Sequence, residues 1–191
     1  MRLIVGISGG SGAVYAVRLL QVLRQLGVET HLIISRMGEQ VAGHECGIDR
    51  DGLVRLADHS YDNDDLFAAT ASGTFKTDGM IIVPCSMKTL AAVASGYADS
   101  LLTRSADVIL KEGRKLVIVP RETPFNQIHL ENMLRLSKMG VTVMPASPGF
   151  YNHPETIGDI VDALVGKMLD AFDIEHSLVR RWGEGPAPGR K

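Results

Sequence analysis

The sequence predicts a single-domain α/β protein, a parallel sheet covered by helices on both faces. Two observations carry this expectation. Short runs of consecutive apolar, β-branched residues recur along the chain, and stretches with helical apolar spacing stand between them. A strand buried on both faces has no polar side to show, so unbroken apolar runs alternating with helices mark a parallel sheet rather than hairpins. Size agrees: 191 residues fit one compact domain, which buries roughly 70% of its unfolded surface without a disulfide or metal staple.

Residues 3–7 (LIVGI) form the first predicted strand. Gly9, Gly10 and Gly12 make a turn, and a helix follows with Ala13, Ala16, Val17, Leu20 and Leu23 on one face, ending before Gly27. Residues 30–35 read as the second strand, 79–84 as the third, 115–120 as the fourth and 141–145 as the fifth. Helical patterns cover about 99–112, 126–138 and 155–172, and Ser86 marks a further helix start. The stretch 58–65, with aspartates at 58, 62, 64 and 65, reads as a solvated loop. No repeat or linker divides the chain, so the domain is assigned to 1–183 and the Gly/Pro-rich 184–191 to a disordered tail.

The formal net charge of −2 argues against a nucleic-acid footprint. Cys46 and Cys85 stand alone with no CxxC, which fits a reducing compartment and gives no sign of zinc. No apolar run approaches the ~20 residues of a membrane span, and the N-terminus does not read as a signal peptide. The expectation is a cytoplasmic protein without membrane or nucleic-acid partners. Histidines 31, 44, 59, 129, 153 and 176 show no metal-ligand spacing, so no metal is expected. His129, three residues after Asn126, reads as structural, and Cys85 as a buried small residue rather than a nucleophile.

Ligands of open α/β sheets sit beyond the C-terminal strand ends. Those ends carry Ser8 to Gly12, Ser35, Cys85 to Thr89, Arg121 to Pro124 and Pro148 to Tyr151. The first loop allows close backbone approach at a helix N-terminus, a suitable anion site. It lacks the GxGxxG spacing, and an ordinary tight turn explains it equally well. Ser86 and its neighbours offer two hydroxyls and an ammonium, or simply a helix cap. Arg121 and Glu122 bring opposite charges to the sheet rim. A surface ion pair is the plain alternative. Tyr151 and Trp182 stand out in an aromatic-poor chain, although both also suit packing roles.

Six stretches now fit together: 6–13 (GISGGSGA), 84–90 (PCSMKTL), 104–112 (RSADVILKE), 119–124 (VPRETP), 128–134 (IHLENML) and 148–154 (PGFYNHP). In sequence and order they resemble the UbiX/Pad flavin prenyltransferase family, and the likeness runs from residue 2 to about 183. Residues 111–115 and 152–156 look most like its phenolic-acid decarboxylase branch. The resemblance implies a flavodoxin-like or Rossmann-like sheet, bound FMN, a homododecamer and metal-independent chemistry. The family joins a dimethylallyl group from dimethylallyl phosphate to N5 and C6 of reduced FMN, and the prenylated FMN serves a UbiD-type decarboxylase.

By matching motifs, Gly9, Gly10, Ser11, Ser35, Ser86, Met87, Lys88, Thr89 and Arg121 would contact FMN. Tyr151 and Lys167 would contact the prenyl phosphate, with Arg104, Lys111 and Glu122 around it. Ser11 and Glu45 would lie near the reacting edge of the flavin, Glu122 would carry protons, and Trp182 would close the site. Two residues depart from the family pattern. Gly10 replaces a small Ala or Thr, and Lys167 stands where many members have Arg, keeping the charge but losing the bidentate fork. Two other functions compete. An FMN-dependent cysteine-type decarboxylase would want a catalytic His at the flavin, and a non-catalytic flavin carrier would not consume dimethylallyl phosphate.

Overall fold

The computed structural model describes residues 1–181. Among them, six parallel strands form one sheet: β1 (Arg2–Ile7), β2 (Glu29–Ile34), β3 (His59–Tyr61), β4 (Gly79–Cys85), β5 (Lys115–Pro120) and β6 (Thr142–Val143). Their order is β3-β2-β1-β4-β5-β6, the doubly wound Rossmann order. The five strands read from the sequence would give the flavodoxin order, so the short edge strand β3 decides between the two labels. Pro84 is tolerated inside a central strand because the β4–β5 register is irregular between Ile82 and Cys85.

Among the described residues, seven helices accompany the sheet: α1 (Ala13–Gln25), α2 (Arg36–Cys46), α3 (Arg50–Val54), α4 (Met87–Ser95), α5 (Leu101–Lys111), α6 (Gln127–Lys138) and α7 (Ile157–Asp170). Alternate strand residues explain the layers. Ile4, Ile33, Met80, Ile82, Leu116 and Ile118 pack on one face against Leu90, Leu102, Ala106, Ile109 and Leu136 of α4, α5 and α6. Leu3, Val5, Leu32, Ile34 and Ile81 are also fully buried and point to the other face, where α1 packs over β1, β2 and β4. Burying each such side chain contributes about 1.5–3 kcal/mol. Capping boxes open α5 (Ser100 with Thr103), α6 (Asn126 with His129) and α7 (Thr156 with Asp159). His129 is therefore structural, as its spacing suggested.

Among the described residues the packing resolves into two compact units, Met1–Ala146 and the residues from Ser147 onward. The first holds the whole sheet. In the second, α7 buries Val161, Leu164, Val165, Met168 and Leu169, and His176 and Arg181 both reach Asp170 Oδ1, at 3.2 and 3.0 Å.

The stretch 58–65 is not the solvated loop expected. Its start is fastened to β2: Asp58 Oδ2 accepts from Thr30 N and Oγ1 at 2.8 and 2.9 Å, and Asp58 N donates to Thr30 Oγ1 at 3.0 Å. The Thr30 amide and hydroxyl hold the Asp58 carboxyl below its ordinary pKa. A depressed folded pKa means that this contribution is full above the ordinary Asp range and is lost as pH falls through the lower folded value. Asp58→Ala should cost about 1 kcal/mol at neutral pH. Thermal melts across the acid range should show the gap to the parent closing below the ordinary Asp pKa; a pH-independent gap would count against the carboxylate.

Candidate functional site

The strand order reverses between β1 and β4, and the ends of these two strands are joined by one buried hydroxyl. Ser8, 1% exposed, donates from Oγ to Pro84 O at 3.0 Å and accepts from Ser86 N at 2.8 Å. Ser86 then caps α4, accepting from Thr89 N and donating to Thr89 Oγ1. On the other side of β1, Ser35 N donates to Ile7 O at 2.9 Å, and its Oγ caps α2 by accepting from Gly38 N. Two helix N-termini thus flank the β1 loop, each with first-turn amides that have no partner within their own helix.

The loop runs against its neighbours, too closely at Gly9 to carry a side chain and at ordinary contact distance at Gly10. A Cβ on Gly9 would stand 2.6 Å from Met37 Cβ, and one on Gly10 about 3.4–3.5 Å from Pro84, Cys85 and Ser86 N. The loop's bared backbone, between two helix N-termini, suits a ligand ending in phosphate. Cys85 is fully buried and burial pushes its thiol pKa far up, so it is no nucleophile.

The N-terminus of α1 is not the anion site that the loop suggested, because the chain supplies its own anion there. Glu45 Oε2 accepts from Gly12 N and Ala13 N at 2.8 and 2.9 Å. Gly12 adopts φ +105° to turn these amides inward, a conformation that favours glycine. Partial burial raises the Glu45 pKa, but the Ser11 hydroxyl, the two amides and the charge of Arg121 outweigh it and bring it below the ordinary range. Glu45 is therefore an ionised acceptor that shapes the loop. Arg121, whose amide reaches Cys85 O at 3.4 Å, directs its charge to this carboxylate. Glu122 does not pair with it; its Oε1 accepts from Thr123 N at 3.0 Å.

The comparisons fit this geometry. The profile of the family described as Flavoprotein matches residues 1–182. Flavin prenyltransferase UbiX of Methanocaldococcus jannaschii is 50% identical over 183 residues, covering 96% of this chain and 99% of its own. The chain belongs to the UbiX-like flavin prenyltransferase family. The dodecameric FMN-dependent UbiX-like decarboxylase from Escherichia coli O157:H7 superposes with a TM-score of 0.94 at 54% identity, over 95% of this chain and 99% of its own. AnUbiX (PadA1), solved with FMN and dimethylallyl pyrophosphate, gives 0.95 at 44%, over 97% and 98%. The peptidyl-cysteine decarboxylase EpiD shares the fold only, at 20% identity and a TM-score of 0.65.

The residues that the UbiX likeness assigned fall into three groups. Gly9, Gly10, Ser11, Ser35, Ser86, Glu45 and Arg121 converge around the β1 loop. Met87 and Lys88 present their backbone there, but the Met87 side chain packs on the core and Lys88, 71% exposed, faces Asp99 at 3.9 Å. Thr89 serves the α4 cap.

Arg104 and Lys111 form a second group. They line a cleft of about 420 Å³ with Ser72, Thr74, Lys76 and Glu112. Arg104 is steered by Ala71 O and Asp107, and Lys111 pairs with Glu112. Lys111 precedes β5 and Arg121 follows it, so the two lie at opposite ends of a strand roughly 20 Å long. Lys76 was missed by sequence reasoning; its signal was the hydroxyl-rich stretch 72–76 ahead of β4.

Tyr151 and Lys167 make the third group. They meet in the second unit, in a hollow of about 170 Å³ shared with Ser147, Pro148 and Asn152. Trp182 lies outside the described residues, as does the tail 184–191.

Proposed function

We propose that this chain is a flavin prenyltransferase that joins the dimethylallyl group of dimethylallyl phosphate to N5 and C6 of reduced FMN. The observation that carries the reading is the β1 loop, with glycine at 9 and 10 between two capped helix N-termini, in a chain alike over its full length to a relative solved with FMN and dimethylallyl pyrophosphate. The α2 and α4 N-termini, with Ser35 and Ser86, hold the FMN phosphate. Gly9, Gly10 and Ser11 admit the flavin, and Glu45 with Arg121 keeps the loop in place. Reduced FMN supplies the electron-rich atoms that accept the allyl group.

Cleaving an allylic C–O bond leaves a delocalised cation and a phosphate. Arg104, Lys111, Tyr151 and Lys167 bind the phosphate and its growing charge. Aromatic faces at Tyr151 and Trp182 favour the cationic carbon chain. Glu122 moves a proton during ring closure, and no step requires a metal. Because Lys111 and Arg121 lie at opposite ends of β5, the Arg104–Lys111 cleft serves the flavin site of a neighbouring copy. A closed homo-oligomer follows, and the dodecameric relative supports it. The product, prenylated FMN, goes to a UbiD-type decarboxylase in the cytoplasm.

The test is anaerobic incubation with reduced FMN and dimethylallyl phosphate, then mass spectrometry of the extracted flavin. One added five-carbon unit is expected. Unaltered flavin would overturn the reading and leave a carrier.

Lys167 gives a sharper expectation. It is exposed on α7 between buried Gly166 and Met168, free of the core. Lys167→Ala should raise the dimethylallyl phosphate requirement about tenfold and leave FMN affinity intact. Lys167→Arg should match or exceed the parent, because its planar fork grips phosphate at two points. A Lys167→Ala protein that titrates like the parent would return this residue to plain surface.

A further inference from the structure

Away from the flavin site, near the N-terminal end of the sheet, three potential ligands converge. β2 and β3 pair in register at His31 and His59, which brings the two imidazoles into a stack with centroids 4.6 Å apart. Glu29, two residues before His31 on the same face of β2, completes the group. Its Oε1 stands 3.1 Å from His31 Nε2 and 3.5 Å from His59 Nε2, and no donor pair is more than 4.8 Å apart. We propose that Glu29, His31 and His59 bind a divalent transition-metal ion of the zinc, cobalt or nickel class, which pins edge strand β3 to β2.

Donor spacing supports this. Metal–ligand bonds of about 2.0–2.1 Å set tetrahedral donors about 3.3 Å apart. The two carboxylate–imidazole distances straddle that value. The wider imidazole pair closes by turning His59, whose side chain is 52% exposed. His31 is already oriented: its Nδ1 is 2.8 Å from Tyr61 Oη, the outer-shell contact that fixes a ligating imidazole and leaves Nε2 for the metal. Two imidazoles and one carboxylate suit borderline cations rather than magnesium or calcium. The fourth position opens to solvent beside His59 and takes water.

One group opposes the ion. Arg2 Nε donates to the same Glu29 oxygen at 2.9 Å, while its guanidinium lies over the Phe75 ring. The cation must displace or share that contact, so affinity falls below that of closed, four-ligand structural sites. The site takes no part in prenyl transfer, which separates its test from that of the proposed activity.

The experiment titrates the full-length chain, free of any polyhistidine tag, with cobalt(II) alone, followed by visible d–d absorption and calorimetry. One ion per chain is expected, displaced by zinc, with a rise in melting temperature. His59→Ala, at an exposed position that the fold tolerates, should weaken binding about a hundredfold, and Tyr61→Phe, an outer-shell change, about tenfold. Absence of cobalt binding, or binding unchanged in His59→Ala, overturns the site.

Discussion

Gly38→Ala should give a protein that melts roughly 10 °C lower and no longer holds FMN. Gly38 is the third residue of α2, where the helix runs against the end of β1. A Cβ there would stand 2.7 Å from Ile7 O and 3.1 Å from Ile7 C. These are backbone atoms of a central strand, and Ile7 O is also the acceptor for Ser35 N, so nothing yields locally. The helix must lift, which strains the Ser35–Ile7 bond and the Ser35–Gly38 cap together. Overpacking costs about 1–3 kcal/mol and the lost cap about 1. In a chain of this size each kcal/mol shifts melting by about 2–4 °C. FMN binding suffers because the α2 N-terminus is one of the two proposed holders of its phosphate. Gly43→Ala is the control. It lies in the same helix with only Ile48 O near, at 3.9 Å, and should be neutral or stabilise by up to about 1 kcal/mol. Thermal melts and flavin fluorescence titrations decide it. A Gly38→Ala protein that binds FMN like the parent would remove α2 from the phosphate site.

Why α2 escaped the sequence reading has the same origin. Its helix buries only Gly38 and Ala42, so no apolar stripe announces it, and what shapes it is contact with a strand end. Strands β1, β2, β4 and β5 were legible to within a residue or two because each carries at least three consecutive apolar residues. β3 was not: His59, Ser60 and Tyr61 are polar and stand among aspartates, and they become a strand only because Asp58 and Thr30 join them to β2. The same omission hid the His31–His59 pair, since sequence spacing reveals ligands along one element and not across two. The predicted strand 141–145 shrinks to Thr142–Val143, as Pro145 cannot donate to a ladder.

The grouping of the proposed flavin-site residues was legible for a topological reason. Parallel strands point one way, so whatever follows each of them meets at one edge of the sheet. That places Ser8 to Gly12, Ser35, Ser86 and Arg121 together from chain order alone. Glu45 entered only by resemblance, and its grip on Gly12 and Ala13, more than thirty residues away, is a tertiary contact that no pattern encodes. The separation of Lys111 from Arg121, by contrast, was already written in chain order: one precedes β5 and the other follows it.

That separation leads to the strongest test of a shared site. Glu122→Gln should keep FMN bound yet slow prenyl-flavin formation by about 10²–10⁴-fold, the usual reach of a positioned proton carrier. Lys111→Ala should be comparably slow through loss of a phosphate contact. Each variant alone leaves every site damaged. If Lys111 of one copy serves the site that holds Glu122 of another, a mixed assembly of the two variants contains boundaries where both contributing residues are intact. For random mixing in equal amounts these make up roughly a quarter of the sites. Co-expression with two different tags and tandem purification yields the mixed assembly, and single-turnover mass spectrometry should find about a quarter of the parent amplitude at the parent rate. No recovery in a verified mixed assembly would mean that both residues act within one chain, which the length of β5 forbids for a single phosphate, and would remove Lys111 from the site. An unchanged rate in Glu122→Gln alone would remove Glu122 from the mechanism before any mixing is needed.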